Sequence, residues 1–160
     1  MSRSRLFFSL IILLAFAAGP CLARQQDLAG PTDREAILAL RPSWQDVVAS
    51  YQPDPEALAK LQGLGREVRI EVFFGTWCSD SMAHVSALFK ILDMADTPLL
   101  QPRYIAIPED KAKREPYFEG RTGITKLPTF IVFVDGREAG RIVETPQKSM
   151  EADLVRILGL

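Results

Sequence analysis

The sequence predicts an α/β domain in which a small mixed β-sheet is flanked by helices on both faces. The first observation is an alternating apolar run over residues 68–74, followed by a helical apolar pattern to about residue 94 and a second strand pattern over residues 104–107. A strand, a helix and a strand in this order form a parallel pair. The second observation is an apolar strand over residues 129–134 that runs into Asp135-Gly136, a typical hairpin sequence.

The composition is that of an ordinary folded domain and excludes several classes of protein. The 160 residues are 48% hydrophobic and 24% charged, with a formal net charge of −1. The chain is too apolar for a disordered tail, and it has no basic block that would neutralise nucleic-acid phosphates. Two cysteines and one histidine are too few for an ordinary zinc site. We therefore expect one domain with no nucleic-acid partner, no metal and no other cofactor.

The N-terminus has the pattern of a signal peptide over residues 1–23. Two arginines precede an apolar run over residues 6–18, which is too short for a membrane span of about 20 residues. Cys21 and Ala23 are the small residues at positions −3 and −1 of a cleavage site after Ala23. We expect no stable membrane span and a periplasmic or secreted protein. The alternatives are an uncleaved anchor and a lipid on Cys21, which the preceding Pro20 disfavours.

Cleavage leaves a mature chain with one thiol. Removing 23 of the 160 residues gives a chain of 137 that begins at Arg24. Because Arg3 and Arg5 are lost, it carries 17 basic and 20 acidic side chains, a net charge of −3. Cys21 is lost as well, so Cys78 is the one cysteine in a compartment where thiols are usually oxidised. Such a thiol is either buried and inert or reacts with another molecule.

Residues 24–53 are expected to form a helical extension in front of the main domain, which spans residues 54–160. The polar residues 24–31 contain Gly and Pro and predict a loose lead-in. Residues 33–40 predict a short helix. A second helix is predicted by the apolar spacing of Trp44, Val47, Val48 and Tyr51.

The main domain opens with Asp54-Pro55-Glu56, which is typical of a helix start, and we expect that helix to run to about Leu64. After the predicted strand–helix–strand unit, residues 108–121 are charged and irregular. Their basic members are interleaved with acidic residues, which indicates a solvated loop. Those basic residues are Lys111, Lys113 and Arg114.

The chain ends with a returning strand and a helix. Residues 138–144 are expected to pair with the strand before the hairpin turn. Thr145-Pro146 is expected to cap the last helix. The inner face of that helix is predicted to carry Met150, Leu154, Ile157 and Leu158.

Cys78 lies where a buried strand ends and a helix begins. Sites tend to form outside the carboxyl ends of parallel strands. The unpaired N–H groups and the dipole of a helix N-terminus stabilise an anion such as a thiolate, by roughly 0.3–1 kcal/mol when exposed and up to ~2 kcal/mol when partly buried. A buried, unreactive cysteine is the alternative. The adjacent Trp77, an aromatic residue at a loop tip, favours a reactive thiol beside a surface for a partner.

Three neighbours on the following helix bear on this thiol. Ser81 lies three residues on and on the same side of the helix, so its hydroxyl could donate to the thiolate. Asp80 acts in the opposite sense, because a nearby carboxylate disfavours a second anion. His84 lies about 9 Å along the helix and ~120° around it, too far from Cys78 to act as its base.

Two separated motifs resemble the thioredoxin superfamily. VFFGTWCSDS, at residues 72–81, is similar to the strand and Trp-Cys-x-x-Cys turn of thioredoxins. GITKLPTFIVFVDGRE, at residues 123–138, is similar to the family's Gly-Ile-x-x-Ile-Pro-Thr segment with the strand and hairpin that follow it. Their order and separation also fit, and the resemblance covers about residues 54–158.

The resemblance implies a thioredoxin-like fold with Cys78 as the nucleophile. It implies that Pro128 is a cis-proline facing Cys78, which leaves the backbone of Leu127 free to pair with an extended substrate. Trp77, Leu127 and Pro128 would then form the substrate-binding surface. The alternative is an ordinary trans proline at the start of a strand.

The sequence departs from the family at three positions. Ser81 stands in place of the resolving cysteine, so the site is Cys-x-x-Ser. Asp80 stands where proline is frequent, and Val72 stands where thioredoxins carry a buried acid. These departures argue against the ordinary dithiol reductase cycle.

The leading hypothesis is an exported oxidoreductase that uses the single thiol of Cys78. The Cys78 thiolate would attack a disulfide or a glutathionylated cysteine of a protein or small-molecule thiol/disulfide substrate and form a mixed disulfide. Because Ser81, at the second motif position, cannot attack this bond, release would require an external thiol reductant. The first alternative is a non-catalytic module that binds a peptide or partner. A peroxide-reducing thiol is disfavoured, since the threonine that such enzymes carry three residues before the cysteine is Gly75 here.

Overall fold

A computed structural model describes residues 27–160 of the chain. The predicted signal peptide at residues 1–23 and the predicted mature N-terminus at Arg24 lie outside the described residues. The elements in chain order are β1 Gly30–Thr32, α1 Arg34–Leu40, α2 Trp44–Ser50, α3 Pro55–Gln62, β2 Val68–Phe74, α4 Ser79–Ala95, β3 Leu100–Ala106, β4 Thr129–Val134, β5 Arg137–Val143 and α5 Met150–Leu158, with two short 3₁₀ helices at Lys111–Lys113 and Glu115–Phe118 between β3 and β4.

Over residues 27–160 the sheet has five strands in the order β1-β3-β2-β4-β5. β2 and β3 are parallel and are connected through α4, as the strand–helix–strand pattern predicts. β4 runs antiparallel to β2 and forms a hairpin with β5. The turn residues Asp135 and Gly136 have φ of 51° and 75°, the positive values that a two-residue hairpin turn of type I′ requires. The predicted mixed sheet is confirmed.

One face of the sheet packs against the α-helices and forms the larger core. α4 crosses this face and buries Val85, Leu88, Phe89 and Ile91. The aromatic rings of this core meet edge to face, with centroids 6.1 Å apart for Trp44 and Phe74 and 5.4 Å apart for Phe89 and Tyr104. Because Trp44 belongs to α2, the residues before position 54 share the core of the main domain.

We expected helices on the opposite face as well, but the irregular segment between β3 and β4 covers it. This segment contributes only the two 3₁₀ helices. Residues 108–121 are mostly charged and offer too few apolar side chains for an amphipathic α-helix. The smaller core consists of Phe73, Ile105, Ile107, Leu127, Ile131 and Phe133, with Trp77, Tyr117, Phe118 and Ile124 packed against it.

The N-terminal strand differs from the sequence-based prediction. Residues 30–32 form β1, not a loose lead-in, and pair antiparallel with the end of β3, with Gly30 opposite Ala106. Pro31 is tolerated because β1 is an edge strand, where a missing N–H breaks no ladder on the open side. Ala106 is also the partner of Phe74 in β2, so β1 lies at the end of the sheet from which the Cys78 turn leaves.

The start of α5 also differs. Thr145-Pro146 does not cap this helix, which begins four residues later with Ser149 as its N-cap. The Ser149 hydroxyl accepts the N–H of Ala152 at 3.3 Å. The preceding loop is folded back on the helix, because the Gln147 N–H donates to the Asp153 carboxylate at 2.8 Å. Side-chain bonds to the first turn therefore set this boundary.

Candidate active site

Cys78 is the N-cap residue of α4 and directly follows the turn that leaves β2. Its backbone is extended, with φ −96° and ψ 126°, and its side chain is half-buried. Its N–H donates to the Gly75 carbonyl at 3.1 Å, and its carbonyl accepts the Met82 N–H at 3.0 Å. The thiol therefore lies at a helix N-terminus, where the free N–H groups of the first turn favour an anion.

The second predicted motif lies next to Cys78, because it leads into β4, the neighbour of β2 in the sheet. The Cys78 thiol donates to the Leu127 carbonyl with an Sγ···O distance of 3.7 Å, although 49 positions separate the two residues. The Leu127–Pro128 peptide bond is cis. Pro128 is held by its carbonyl, which accepts the Glu144 N–H at 2.7 Å. Within the described residues the Leu127 N–H has no hydrogen-bond acceptor.

Ser81 is fully buried in the first turn of α4. Its hydroxyl oxygen accepts the Gly75 N–H at 3.1 Å and so closes the turn between β2 and α4. This serine therefore stabilises the loop that carries Cys78. Donation of its proton to a Cys78 thiolate stays a prediction.

Trp77 forms a fixed wall beside the turn. Its Nε1–H donates to the Ile107 carbonyl at 2.9 Å, and the Arg114 guanidinium lies over its ring, 4.9 Å from the centroid. The ring also lies against Gly75, where an added Cβ would come within 2.6 Å of Trp77 Cε2. A side chain at position 75 would therefore displace the Trp77 ring, so this close approach favours glycine. A contact between Trp77 and a substrate stays a prediction.

Lys111 and Lys113 are exposed, as expected for a solvated loop, whereas Arg114 is half-buried and makes contacts that were not expected. Besides covering Trp77, the Arg114 guanidinium donates to the carbonyls of Pro108 and Glu109 at 3.0 and 2.9 Å. The charge pattern gave no signal for this, because the contact depends on a ring 37 positions earlier in the chain.

Two further residues at the site were missed by sequence reasoning. Arg41, at the C-terminal end of α1, donates from Nε to the Thr76 carbonyl at 3.0 Å. Asp27 accepts the Thr76 hydroxyl at 3.0 Å and Arg41 Nη2 at 2.6 Å. No local pattern could have indicated these contacts, since the partners lie 35 and 49 positions from Thr76.

The titratable groups near the turn are arranged differently from those of a dithiol enzyme. Val72 is fully buried and apolar in place of an acid. His84 is half-buried on α4; burial lowers its pKa, and the carboxylate of Asp80 partly opposes this. At neutral pH His84 is therefore mostly uncharged. Within residues 27–160 no cluster of His, Cys, Asp and Glu is arranged to hold a metal ion, and no helix is long and apolar enough to span a membrane.

The comparisons with known proteins agree with this geometry. A sequence model of the thioredoxin family matches residues 35–155, three quarters of the chain. This chain belongs to the thioredoxin superfamily. The matched range contains both the Cys78 turn and the Leu127–Pro128 bond, so the fold predicted from the two motifs is confirmed.

Solved structures resemble the chain at the level of fold. A crystal structure of an HIV epitope scaffold superposes with a TM-score of 0.57 at 20% identity, covering 81% of this chain and 84% of the scaffold. A protein of unknown function from Pseudomonas aeruginosa superposes with a TM-score of 0.56 at 20% identity, covering 81% of this chain and 83% of that protein. A search of curated proteins found no match to this sequence.

Proposed function

We propose that this protein is an exported thiol–disulfide oxidoreductase that acts through the single thiol of Cys78. The observation that carries the proposal is the position of the sulfur: half-buried at the N-terminus of α4 and 3.7 Å from the Leu127 carbonyl. A helix N-terminus favours the thiolate, which is the nucleophile in disulfide exchange. The superfamily fold supports the same assignment.

The reaction has two exchange steps and no net oxidation of the protein. The Cys78 thiolate attacks one sulfur of a disulfide R–S–S–R′, a new Cys78–S–S–R bond forms, and R′–S⁻ leaves. An external thiolate R″–S⁻ then attacks the R sulfur, which releases R–S–S–R″ and restores the Cys78 thiolate. The electrons come from the external thiol, so the protein transfers the R–S group between thiols.

The proposed mature chain has no second thiol that could resolve the mixed disulfide. The position that could supply a resolving thiol is Ser81, whose oxygen accepts the Gly75 N–H inside the turn. The full sequence has two cysteines, Cys21 and Cys78, and Cys21 belongs to the predicted signal peptide. The proposed mature protein therefore holds its mixed disulfide until another thiol arrives.

The substrate side of the site suits an extended peptide. The unpaired Leu127 N–H lies beside the carbonyl that receives the Cys78 thiol, so both backbone groups of Leu127 are available once the thiol is ionised. An extended chain uses such a donor and acceptor as an added strand. Trp77, held by Ile107 and Arg114, would border this strand.

The test uses residues 24–160 and the isosteric variant Cys78→Ser. Both proteins are incubated with oxidised glutathione or with a peptide disulfide, and their intact masses are measured. We expect wild type to gain one glutathione or one peptide, to lose it on addition of excess reduced thiol, and the variant to gain nothing. Wild type that stays unmodified under conditions in which a free cysteine peptide reacts would refute the proposal.

A non-catalytic binding module is the second candidate. The observation that favours it is the hydrogen bond from the thiol to the Leu127 carbonyl, which gives the S–H group an acceptor within the protein. This candidate predicts that Cys78→Ser binds a partner peptide as tightly as wild type. The oxidoreductase predicts covalent capture that the variant lacks.

Export is proposed from the pattern of residues 1–23 alone. Expression of the full chain in a Gram-negative bacterium, followed by fractionation and N-terminal sequencing, should give a periplasmic protein that begins at Arg24. Retention of Cys21 in the exported protein would contradict the single-thiol mechanism as well as the cleavage site.

A further inference from the structure

The turn that carries Cys78 is held from outside by two charged side chains. Two polar groups of Thr76 are engaged: its hydroxyl donates to Asp27 Oδ1 at 3.0 Å, and its carbonyl accepts Arg41 Nε at 3.0 Å. Asp27 and Arg41 also bind each other at 2.6 Å, and about three quarters of each side chain is buried. Carboxylate, guanidinium and Thr76 thus form a closed triangle, which we name the Thr76 clamp.

The clamp lies at one end of the sheet. Asp27 precedes β1, and Arg41 follows α1, so the two charged residues flank the first two elements. β1 pairs with the end of β3 next to the last residue of β2. The clamp is therefore anchored on both sides by elements that belong to the sheet and the larger core.

The clamp acts on a short stretch of the chain. Only Trp77 separates Thr76 from Cys78, and the same turn is closed by the bonds from Cys78 N–H to Gly75 and from Gly75 N–H to Ser81. Hydrogen bonds to charged groups are stronger than those between neutral groups. Without the clamp the turn keeps its own short bonds and the bond from Trp77 to Ile107, but it loses its attachment to the residues around β1 and α1, and the sulfur can shift relative to Leu127.

We propose that Asp27 and Arg41 are positioning residues that fix the Cys78 turn against the Leu127 edge. This inference rests on the proposed function and deepens it: the residues in front of the predicted main domain complete the active site. A displacement of about 1 Å can cost up to a hundredfold in rate where two groups must meet in one geometry. Loss of the clamp should therefore slow the reaction of Cys78 with a docked peptide and have little effect on its reaction with a small reagent.

The test compares Arg41→Met and Asp27→Asn with wild type. The matched control is Arg34→Met, which removes a bidentate ion pair with Asp93 from the same N-terminal region but touches no residue of the turn. Thr76→Val removes only the hydroxyl, and Thr76→Ser restores it.

The first measurement is amide hydrogen exchange by NMR at Gly75 and Cys78, whose N–H groups close the turn. We expect exchange about tenfold faster in Arg41→Met, Asp27→Asn and Thr76→Val, with wild-type rates in Thr76→Ser and Arg34→Met. The second measurement is kcat/KM for exchange with a peptide disulfide, which should fall about tenfold in the same three variants, while alkylation by iodoacetamide stays within about twofold.

Unchanged amide exchange in Arg41→Met and Asp27→Asn would overturn the inference. An equal increase in Arg34→Met would overturn it too, because the effect would then be general loosening of the fold. Faster amide exchange with an unaltered rate on the peptide would show that the turn does not govern Cys78. If wild type captures no disulfide at all, the proposed function fails, and the amide measurement still decides whether the clamp holds the turn.

Discussion

The Arg121→Met variant tests how the segment that delivers Leu127 is fixed to the sheet. Glu71, in β2, is 2% exposed and faces the smaller core. Arg121 binds both of its oxygens at 2.7 Å. Arg69 lies at 3.6 Å as a weaker partner. Removing the Arg121 guanidinium leaves a buried carboxylate without its main counter-charge.

The expected loss is about 3 kcal/mol of unfolding free energy at pH 7. Breaking a buried pair from one side costs about 3–5 kcal/mol. The lower end applies, because Arg121 is itself 36% exposed and Arg69 keeps part of the attraction. The matched control is Arg103→Met, which removes a bidentate bond to the 30% exposed carboxylate of Glu119 and should cost under about 1 kcal/mol.

The pH dependence adds a second, independent expectation. The hydrogen bonds from Arg121 hold the pKa of Glu71 below its ordinary value, against the effect of burial. A lowered folded-state pKa contributes stability that is present above the ordinary value of 4.5 and is lost as the pH falls through the folded-state value. In Arg121→Met the burial of Glu71 raises the pKa of its carboxyl group, and protonation of that group removes the free-energy cost of the buried charge. The stability difference between wild type and variant should therefore be largest near pH 7 and shrink towards pH 4.

The assay is urea unfolding of residues 24–160, monitored by circular dichroism and repeated at several pH values. Glu71→Gln combined with Arg121→Met removes the buried charge and should recover more than half of the loss. The reasoning is refuted if Arg121→Met costs no more than Arg103→Met at pH 7. It is equally refuted if the difference from wild type does not change between pH 7 and pH 4.

Three further substitutions have defined outcomes. Ser81→Cys should form an internal disulfide with Cys78, since residues i and i+3 are neighbours at a helix start; a variant whose two thiols both stay alkylatable after mild oxidation would contradict this. Gly75→Ala should displace the Trp77 ring and change its fluorescence, whereas Gly65→Ala, with open space around it, should not. Tyr51→Phe removes a 2.7 Å bond to the buried Glu151 and should cost about 1.5 kcal/mol in urea unfolding, and no loss would contradict the pairing.

The sequence was most informative where a local pattern decides the structure. The alternation in β2, the helical spacing in α4 and the Asp135-Gly136 turn each depend on residues within one element, and all three were predicted. The two halves of the site could be predicted because each lies inside a short motif. Their meeting at 3.7 Å could be expected only from the resemblance.

The missed features depend on contacts between distant segments. β1 is Gly-Pro-Thr, which has no apolar period, and it forms because β3 offers an unpaired edge. Arg41 and Arg114 read as ordinary surface charges, because nothing near them in sequence shows the carbonyls and the ring that they contact. The start of α5 was misplaced since proline at position 146 is a strong local signal, yet Ser149 offers the side chain that bonds the first turn.

The two faces of the sheet are covered unequally, by α-helices on one face and by an irregular segment on the other. Cys78 and Leu127 therefore lie in regions of different local stability. Cys78 lies between β2 and α4, whose apolar side chains are buried in the larger core. Leu127 ends a segment attached by a few apolar side chains and by arginine–carboxylate pairs at Glu71 and Glu119. Segments with few buried apolar contacts open before the rest of a domain. A protease added to the folded protein should therefore cut first between residues 108 and 126. The fragment that keeps Cys78 would retain its thiol but lose the Leu127 edge, where we propose that a peptide binds.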